Sequence, residues 1–254
     1  MTGESKASRR AIFAALLSAA CALASPAAAG PAELREGLFR KPHGARQTPP
    51  PPVARYVSEE GRVFILDRSQ PRPLLKFDDD PEVWVLAPQP APRGDVIYKN
   101  DLGEPILRAT RLGGFTLFTN TRPAGEAVSL AGGAAPLRLG VLSPQALGDR
   151  LLQASFRSGR AARRTVIFEA EATPASATLI ADAATVVSVA FMRIAGGDGG
   201  RTTLARVGKV QFAEGRRPAA TFAGGTLQVV VTPAQGLAGR PSSGRIVKVI
   251  RGAK

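Results

Sequence analysis

The spacing of hydrophobic and polar positions changes along the chain, and these changes divide it into segments of different predicted structure. From about residue 53 to residue 119, short apolar or alternating runs are separated by turn residues, a pattern typical of β-strands. It predicts six strands, at residues 62–67, 74–77, 83–86, 95–99, 106–111 and 115–119. A loop rich in Gly, Ala and Pro is expected over residues 123–136.

Helical spacing begins after this loop. Ser143 and Pro144 predict the start of a helix that runs to about residue 164, because a serine oxygen caps free amides and proline costs nothing at the first helical position. Thr173 and Pro174 repeat this signal before an almost uncharged run to Ile194. The second run contains Asp182 and many alanines, which favours a core helix over a membrane span.

Alternating positions return in the last 55 residues, with strands expected at 204–212, 219–222 and 226–232 and one more within 246–250. Gly224 and Gly225 predict a hairpin turn between two of them. The chain is therefore expected to adopt an α+β fold with an N-terminal β-rich part (53–122), two central helices and C-terminal antiparallel strands (together 137–254). Whether these parts share one core stays open.

The N-terminal segment has the pattern of a secretory signal peptide. Lys6, Arg9 and Arg10 precede an uncharged run of about 14 residues and then small residues up to Ala29, the length range of a signal peptide rather than a membrane span. We expect cleavage after Ala29, with Ala24 as the alternative, followed by a proline-rich linker at 30–52. The mature protein is therefore predicted to be periplasmic or secreted.

Composition narrows the possible chemistry. The one cysteine, Cys21, lies in the signal peptide, so a cysteine-free mature chain can form no disulfide and no thiolate metal site. The one histidine, His43, lies in the linker beside proline and glycine, which argues against histidine-assisted nucleophiles and histidine-bound zinc. No cofactor or metal motif is found, so the sequence favours a non-enzymatic protein.

Charge points to an anionic partner. The chain has 34 Lys and Arg against 20 Asp and Glu, a net charge of +14 that becomes +12 without the signal peptide. Four arginines, Arg150, Arg157, Arg160 and Arg164, fall on one side of the first predicted helix, beside its apolar arc. They are candidates for binding an anionic envelope component, with peripheral membrane contact, or an acidic protein. An ordinary solvated helix face explains them equally well, and export argues against nucleic acid as the partner.

Two pairs of carboxylates suggest a different function. Asp78 and Asp80 belong to the densest acidic cluster, and Glu169 and Glu171 point to one side of an extended segment. Paired carboxylates can cleave glycosidic bonds, so the alternative is a histidine-free hydrolase of cell-wall glycan. Their ordinary roles are a strand-ending turn and ion pairs on the surface. A third hypothesis is an interaction protein whose strand edges pair with another chain.

Two stretches of the chain resemble a known family as wholes. They are residues 61–119, which begin GRVFILDRSQPRPLLKFDDDPEVWVLAPQP, and residues 207–250, which include GLAGRPSSGRIVKVI. Both resemble an alphaproteobacterial family of exported proteins that is defined as a domain of unknown function. The resemblance covers nearly all of the mature chain and implies a Gram-negative periplasm, but it implies no activity, cofactor or catalytic residue.

Overall fold

A computed structural model describes residues 51–252, all of which lie in one compact unit, Thr48–Lys254. The described residues form thirteen β-strands and four α-helices. The expected signal peptide, almost all of the expected linker, Cys21 and His43 lie outside them.

The first nine strands form one antiparallel sheet, in the order β4-β3-β2-β1-β9-β8-β7-β6-β5. These strands are β1 Val53–Ser58, β2 Val63–Asp67, β3 Leu74–Phe77, β4 Val83–Val85, β5 Ala87–Pro90, β6 Val96–Lys99, β7 Pro105–Ala109, β8 Phe115–Leu117 and β9 Glu126–Gly133. Strands β4 and β5 lie at opposite edges of the sheet, yet the single residue Leu86 joins them. The sheet must therefore curve until its edges meet, and it forms a small barrel.

The inside of the barrel is filled by alternate residues of the strands, as the period of two requires. Tyr56, Phe64 and Phe77 form an aromatic row in which neighbouring ring centres are 5.5 and 5.6 Å apart. Leu86, at the seam, is also buried in this cluster. The barrel thus has its own hydrophobic core.

The predicted strands of this part are confirmed to within two residues, but the predicted loop at 123–136 is wrong over most of its length. Residues Glu126–Gly133 form β9, which pairs with β8 on one side and with β1 on the other. The composition of β9 does not predict a strand, because Gly and Ala have low strand propensity. Its backbone groups nevertheless find partners on both sides, and this pairing joins the strands β1–β4 to the strands β5–β8 in one sheet.

The helices and the last four strands make the second part of the fold. The helices are α1 Pro144–Ala162, α2 Ala177–Ala195, α3 Gly200–Ala205 and α4 Ser243–Arg251. The strands are β10 Ile167–Ala170, β11 Lys209–Glu214, β12 Ala219–Ala223 and β13 Thr226–Val231, in the sheet order β10-β11-β13-β12. We call this part the helical layer.

Helix α2 is the centre of the helical layer. It packs against α1, α3, α4 and β13, and thirteen of its nineteen residues are buried. Within the described residues it is the one helix long and apolar enough to cross a membrane by length and composition, but 72% of its apolar window is buried inside the protein. That burial fits the predicted core helix. The core around α2 is separate from the core of the barrel.

The predicted strand within 246–250 is wrong, because this run belongs to α4. Ser242 caps the helix by accepting a hydrogen bond from the Arg245 backbone N–H (3.0 Å), and Gly252 ends it in a left-handed conformation. Ile246 and Ile250 lie one turn apart and are both buried. A short apolar run fits a helix as well as a strand, and here the caps together with the burial of Ile246 and Ile250 in the helical layer favour the helix.

The α+β class is confirmed, and so is the hairpin turn at Gly224 and Gly225, which joins the antiparallel strands β12 and β13. The expectation of antiparallel pairing holds for this hairpin alone within the second sheet. Strand β11 pairs in parallel with both β10 and β13. Its predicted start at 204 is also too early, since Gly200–Ala205 form α3. The connection from β10 to β11 runs through α2 and α3, as parallel pairing requires.

Asp67, at the end of β2, ties the barrel to the segment that leads into α1. Its carboxylate accepts hydrogen bonds from the backbone N–H groups of Ser69 and Leu137, both 2.8 Å, and from the Ser69 hydroxyl, 2.6 Å. Burial by itself raises the pKa of Asp67, but these hydrogen bonds outweigh it and hold the pKa below its usual value. Asp67 is therefore a charged anchor between the two parts.

Candidate functional site

Local sequence signals set the position of helix α1. The Ser143 hydroxyl accepts a hydrogen bond from the Ala146 backbone N–H (3.2 Å), as the sequence predicted. Arg163 adopts a left-handed conformation (φ 54°) that ends the helix and turns the chain towards β10. The Ser155 hydroxyl then donates to the Val166 carbonyl oxygen (2.6 Å), so the start of β10 lies against the helix.

The four predicted arginines lie on the exposed side of α1 and just past its end. Leu147, Ala154 and Ala162 are buried on the neighbouring side of the helix. Arg150, Arg157 and Arg160 are exposed and form no ion pair with any residue in 51–252. Arg164 is exposed too, and its guanidinium donates to the Ala205 carbonyl oxygen.

Large apolar side chains are exposed beside these arginines. Phe156 is 65% exposed and Leu152 is 56% exposed. Leu152, Phe156 and Arg160 are spaced by four residues, so they follow one another along one side of the helix. Ile167, the first residue of β10, is 53% exposed next to the buried Val166. This apolar group was not identified from the sequence.

We call the surface formed by these side chains the α1 face. Its members are Arg150, Leu152, Phe156, Arg157, Arg160, Arg164 and Ile167. One acidic residue of α1, Asp149, is also exposed. The face therefore combines several cations with a small apolar group, and its cations outnumber the anions close to them in sequence.

The excess positive charge of the protein is concentrated in the same part of the fold. Residues 51–133, the barrel, contain 10 Lys and Arg and 11 Asp and Glu. Residues 134–252, with the helical layer, contain 16 Lys and Arg and only 6 Asp and Glu. The barrel is thus almost neutral, and the field that attracts anions comes from the helical layer.

Three of the four carboxylates proposed for catalysis, Asp78, Asp80 and Glu169, are engaged in ion pairs. Asp78 pairs with Arg55 at 2.7 Å, and Glu169 pairs with Lys209 at 2.6 Å, both on the surface. Glu171 is exposed. No contact between described residues joins the Asp78 and Asp80 pair to the Glu169 and Glu171 pair. Over residues 51–252, moreover, no group of three or more Asp, Glu, His or Cys side chains could hold a metal ion.

Asp80 belongs to a second group of charged side chains, which lies between the barrel and the helical layer. We call this group the junction cluster. Its members are Asp80 and Glu82 from the turn before β4, Asp182 and Arg193 from α2, Arg240 from the segment before α4, and Ser243 from the start of α4.

Arg240 is the centre of the junction cluster, with a side chain that is 1% exposed. Its guanidinium donates to Asp182 and to the Val83 carbonyl oxygen (2.9 Å), and it lies 3.7 Å from the carboxylate of Glu82. One buried cation therefore holds a barrel strand, the core helix α2 and the approach to α4 together.

Glu82 is the buried anion of the cluster, with a side chain that is 2% exposed. Both of its oxygens accept hydrogen bonds from Ser243, one from the backbone N–H (3.0 Å) and one from the hydroxyl. Arg193 donates to the Ser243 hydroxyl (2.5 Å) and to Asp80 (3.0 Å). Burial raises the pKa of Glu82, and the nearby Arg240 and the Ser243 hydrogen bonds oppose that rise.

An open cleft of about 860 Å³ lies beside the junction cluster. Its walls include Trp84, Ile106 and Phe118 from the barrel and Lys248 and Arg251 from α4. Ser243 is fully buried and its hydroxyl is engaged on both sides, so it cannot act as a nucleophile on a molecule in the cleft. The geometry gives the junction cluster a structural role, as the tie between the barrel and the helical layer.

Sequence reasoning named Asp80 of the junction cluster as a catalytic candidate, but did not identify the cluster. Asp182 was a further signal, because a single acidic residue in an apolar core helix requires a partner. Its partner Arg240 lies 58 residues away, in the GLAGRPSSGR segment that carried the family resemblance. That segment supplies both Arg240 and Ser243.

Comparison with known proteins supports one part of the resemblance seen in the sequence, the match to a domain of unknown function. No curated protein and no solved structure matches the chain. The matching family covers both resemblance segments, including the stretch with Arg240 and Ser243, and extends across the barrel and the helical layer. The chain belongs to the family described as a domain of unknown function (DUF4908), which it matches over residues 33–250.

Proposed function

We propose that this protein is a non-enzymatic binding protein that uses the α1 face to hold an anionic partner. The partner is an anionic component of the cell envelope or an acidic protein. We further propose that the chain is alphaproteobacterial, that residues 1–29 direct its export, and that it acts in the periplasm or after secretion.

The observation that carries this proposal is the set of exposed arginines without ionic partners on α1. Exposed arginines elsewhere in the described chain are of both kinds: Arg55 and Arg122 pair with carboxylates at 2.7 and 2.5 Å, whereas Arg72 and Arg201 form no ion pair. What distinguishes α1 is that three unpaired arginines lie on one helix, beside exposed apolar side chains. Arg150, Arg157 and Arg160 have no such pair, so their charge is available to an external anion. The net charge of the helical layer adds a longer-range attraction, which salt should weaken.

The glycan hydrolase has less support. Asp78 and Glu169 are already neutralised by Arg55 and Lys209 on the surface. Asp80, on the wall of the cleft, is held by Arg193 and the Trp84 indole N–H. The nearest buried carboxylate, Glu82, has both oxygens hydrogen-bonded and almost no exposure, so it offers no free acid or base to a substrate.

The test is co-sedimentation of the chain from residue 30, which keeps the whole compact unit, with an isolated Gram-negative envelope fraction. The variant R150Q/R157Q/R160Q/R164Q removes four charges from the α1 face. A matched control, R72Q/R201Q/R216Q/R217Q, removes four exposed arginines that lie outside the α1 face. Both variants have the same net charge, so they separate a local site from a general effect of charge.

We expect the unmodified chain and the control to sediment with the envelope at about 50 mM salt and to be released at about 500 mM. The α1 variant should stay in solution at both salt concentrations. Equal binding by the two variants would refute the α1 face as the site, and salt-independent binding of the unmodified chain would refute an electrostatic one.

A further inference from the structure

We infer that the anionic partner is a lipid bilayer, and that helix α1 lies on its surface with Leu152 and Phe156 inserted between the headgroups. This inference rests on the proposed function and adds the chemical class of the partner. It also assigns the two apolar side chains a role in binding.

The exposed apolar residues of the α1 face are the first argument. Phe156 and Leu152, one turn apart, are 65% and 56% exposed, and Ile167 adds a third apolar side chain at the start of the adjoining strand. A hydrated polyanion such as a polyphosphate gains nothing from these side chains. The headgroup region of a bilayer accepts apolar side chains to a depth of about 5–10 Å.

The arrangement of charge around this apolar group is the second argument. Arg160 continues the row of Leu152 and Phe156, and Arg150 and Arg157 form a neighbouring row seven residues apart. Arginines at the end and on one side of an apolar row suit a surface whose phosphates lie in one plane above acyl chains. The row also holds one exposed anion, Asp149, one turn before Leu152, which the arginines outnumber. Each basic residue near an anionic bilayer strengthens binding about fivefold.

The local structure supports a flat orientation of the helix. The buried side of α1 packs on α2, so the whole exposed side of the helix faces away from the core. The neighbouring strand β10 is held against the helix by the Ser155 hydrogen bond, which brings Ile167 to the same surface. No rearrangement of the fold is needed for contact.

The experiment measures binding of the chain from residue 30 to vesicles of phosphatidylglycerol and phosphatidylcholine, and to vesicles of phosphatidylcholine alone. The variant L152S/F156S removes the apolar group and keeps every charge. The control L112S/L130S removes two exposed leucines of the barrel, which are 80% and 53% exposed. Soluble polyglutamate, in a separate arm, represents an acidic protein partner. Far-UV circular dichroism confirms that each variant is folded.

We expect binding to the anionic vesicles alone, weaker by about tenfold for each apolar side chain removed in L152S/F156S and unchanged in L112S/L130S. In the variant F156W, tryptophan emission should shift to the blue on addition of anionic vesicles, relative to the unmodified chain with its single Trp84. Both results would support insertion.

Other outcomes separate the two proposals. If L152S/F156S binds the vesicles as tightly as the unmodified chain, while the four-arginine variant does not bind, insertion is refuted and the electrostatic function stands. Tighter binding of polyglutamate than of vesicles, unaffected by L152S/F156S, would replace the lipid with an acidic protein. If the four-arginine variant binds vesicles, polyglutamate and the envelope fraction like the unmodified chain, both proposals fail.

Discussion

Replacing Arg240 by methionine tests whether the junction cluster holds the barrel and the helical layer together. The change keeps most of the side-chain volume and removes the cation that faces Glu82 and Asp182. Glu82 is then left buried with Arg193, at 3.6 Å, as its one remaining cation among residues 51–252. Asp182 is 18% exposed and can draw on solvent.

The expected loss follows from this burial. Removing one partner of a fully buried ion pair costs about 3–5 kcal/mol, because the other charge is left uncompensated. Arg193 compensates in part, so R240M should lower the free energy of unfolding by about 3 kcal/mol. For a domain of this size that corresponds to a fall in Tm of roughly 6–12 °C.

The assay is urea unfolding followed by circular dichroism, with Tm from a thermal melt. Arg245→Met is the matched control, since Arg245 pairs with Asp101 at 3.3 Å on the surface, where both side chains are about one third exposed or more. Loss of such a pair costs less than about 1 kcal/mol. The same substitution is also measured in the E82Q variant, which lacks the buried negative charge. There R240M should lower the free energy of unfolding by about 1–3 kcal/mol less than in the unmodified chain.

Two results would refute this reasoning. R240M could lower the free energy of unfolding no more than R245M, which would mean that the buried pair does not stabilise the junction between the two parts. R240M could also cost the same in the E82Q background as in the unmodified chain. In that case Glu82 would not be the partner that matters, and the contact of Arg240 with Asp182 or its packing would stabilise the junction.

Three further predictions concern stability. D67N should be less stable than the unmodified chain at pH 7, and its free energy of unfolding should depend less on pH. A carboxylate with a lowered native pKa stabilises the fold above its unfolded pKa and loses that contribution as pH falls through the native pKa. Urea unfolding between pH 7 and pH 2.5 measures this. F191A should cost about 3–5 kcal/mol, and its exposed neighbour variant M192A less than about 1 kcal/mol, by thermal melts. S242A should cost about 1 kcal/mol by urea unfolding, because it removes the cap of α4.

Each of these has an outcome that contradicts it. An unchanged slope of stability against pH in D67N would mean that the Ser69 and Leu137 hydrogen bonds do not favour the charged form. Equal effects of F191A and M192A would contradict the central position of α2. A neutral S242A would show that the cap contributes nothing to α4.

The sequence predicted those parts of the fold in which a local pattern has a single interpretation. The Ser143 cap and the proline after it marked the start of α1 correctly. The glycine pair at 224–225 marked a hairpin correctly, because both residues adopt positive φ angles that favour glycine. The long apolar run of α2 could only be a core helix or a membrane span.

The errors arose where distant parts of the chain decide the structure. Strand β9 has an unfavourable composition and exists because β1 and β8 supply its hydrogen-bond partners. The run at 246–250 fits either type of element, and the packing of Ile246 and Ile250 on the helical layer favours the helix. The hydrogen bond between Glu82 and Ser243 joins residues 161 positions apart, so local sequence patterns do not predict it either.

The same limit applies to the α1 face. Helical spacing placed the four arginines on one side of α1, and the structure puts all four in solvent. The exposure of Leu152 and Phe156 could not be inferred, because apolar residues on a helix are normally assigned to its buried side. Only the packing of α1 on α2 shows which apolar positions are left outside.

The pairing of β9 with β1 and β8 affects how the protein reaches its native state. Ala54 pairs with Gly133, so the first and last strands meet across almost the whole length of the barrel segment. Contacts this distant in sequence must overcome a large loop-closure entropy and are slow to form. Until β9 pairs with them, β1 and β8 have unpaired backbone groups that other chains can pair with. Folding of the barrel should therefore be slow and sensitive to protein concentration, and a chain that ends before Glu126 should aggregate.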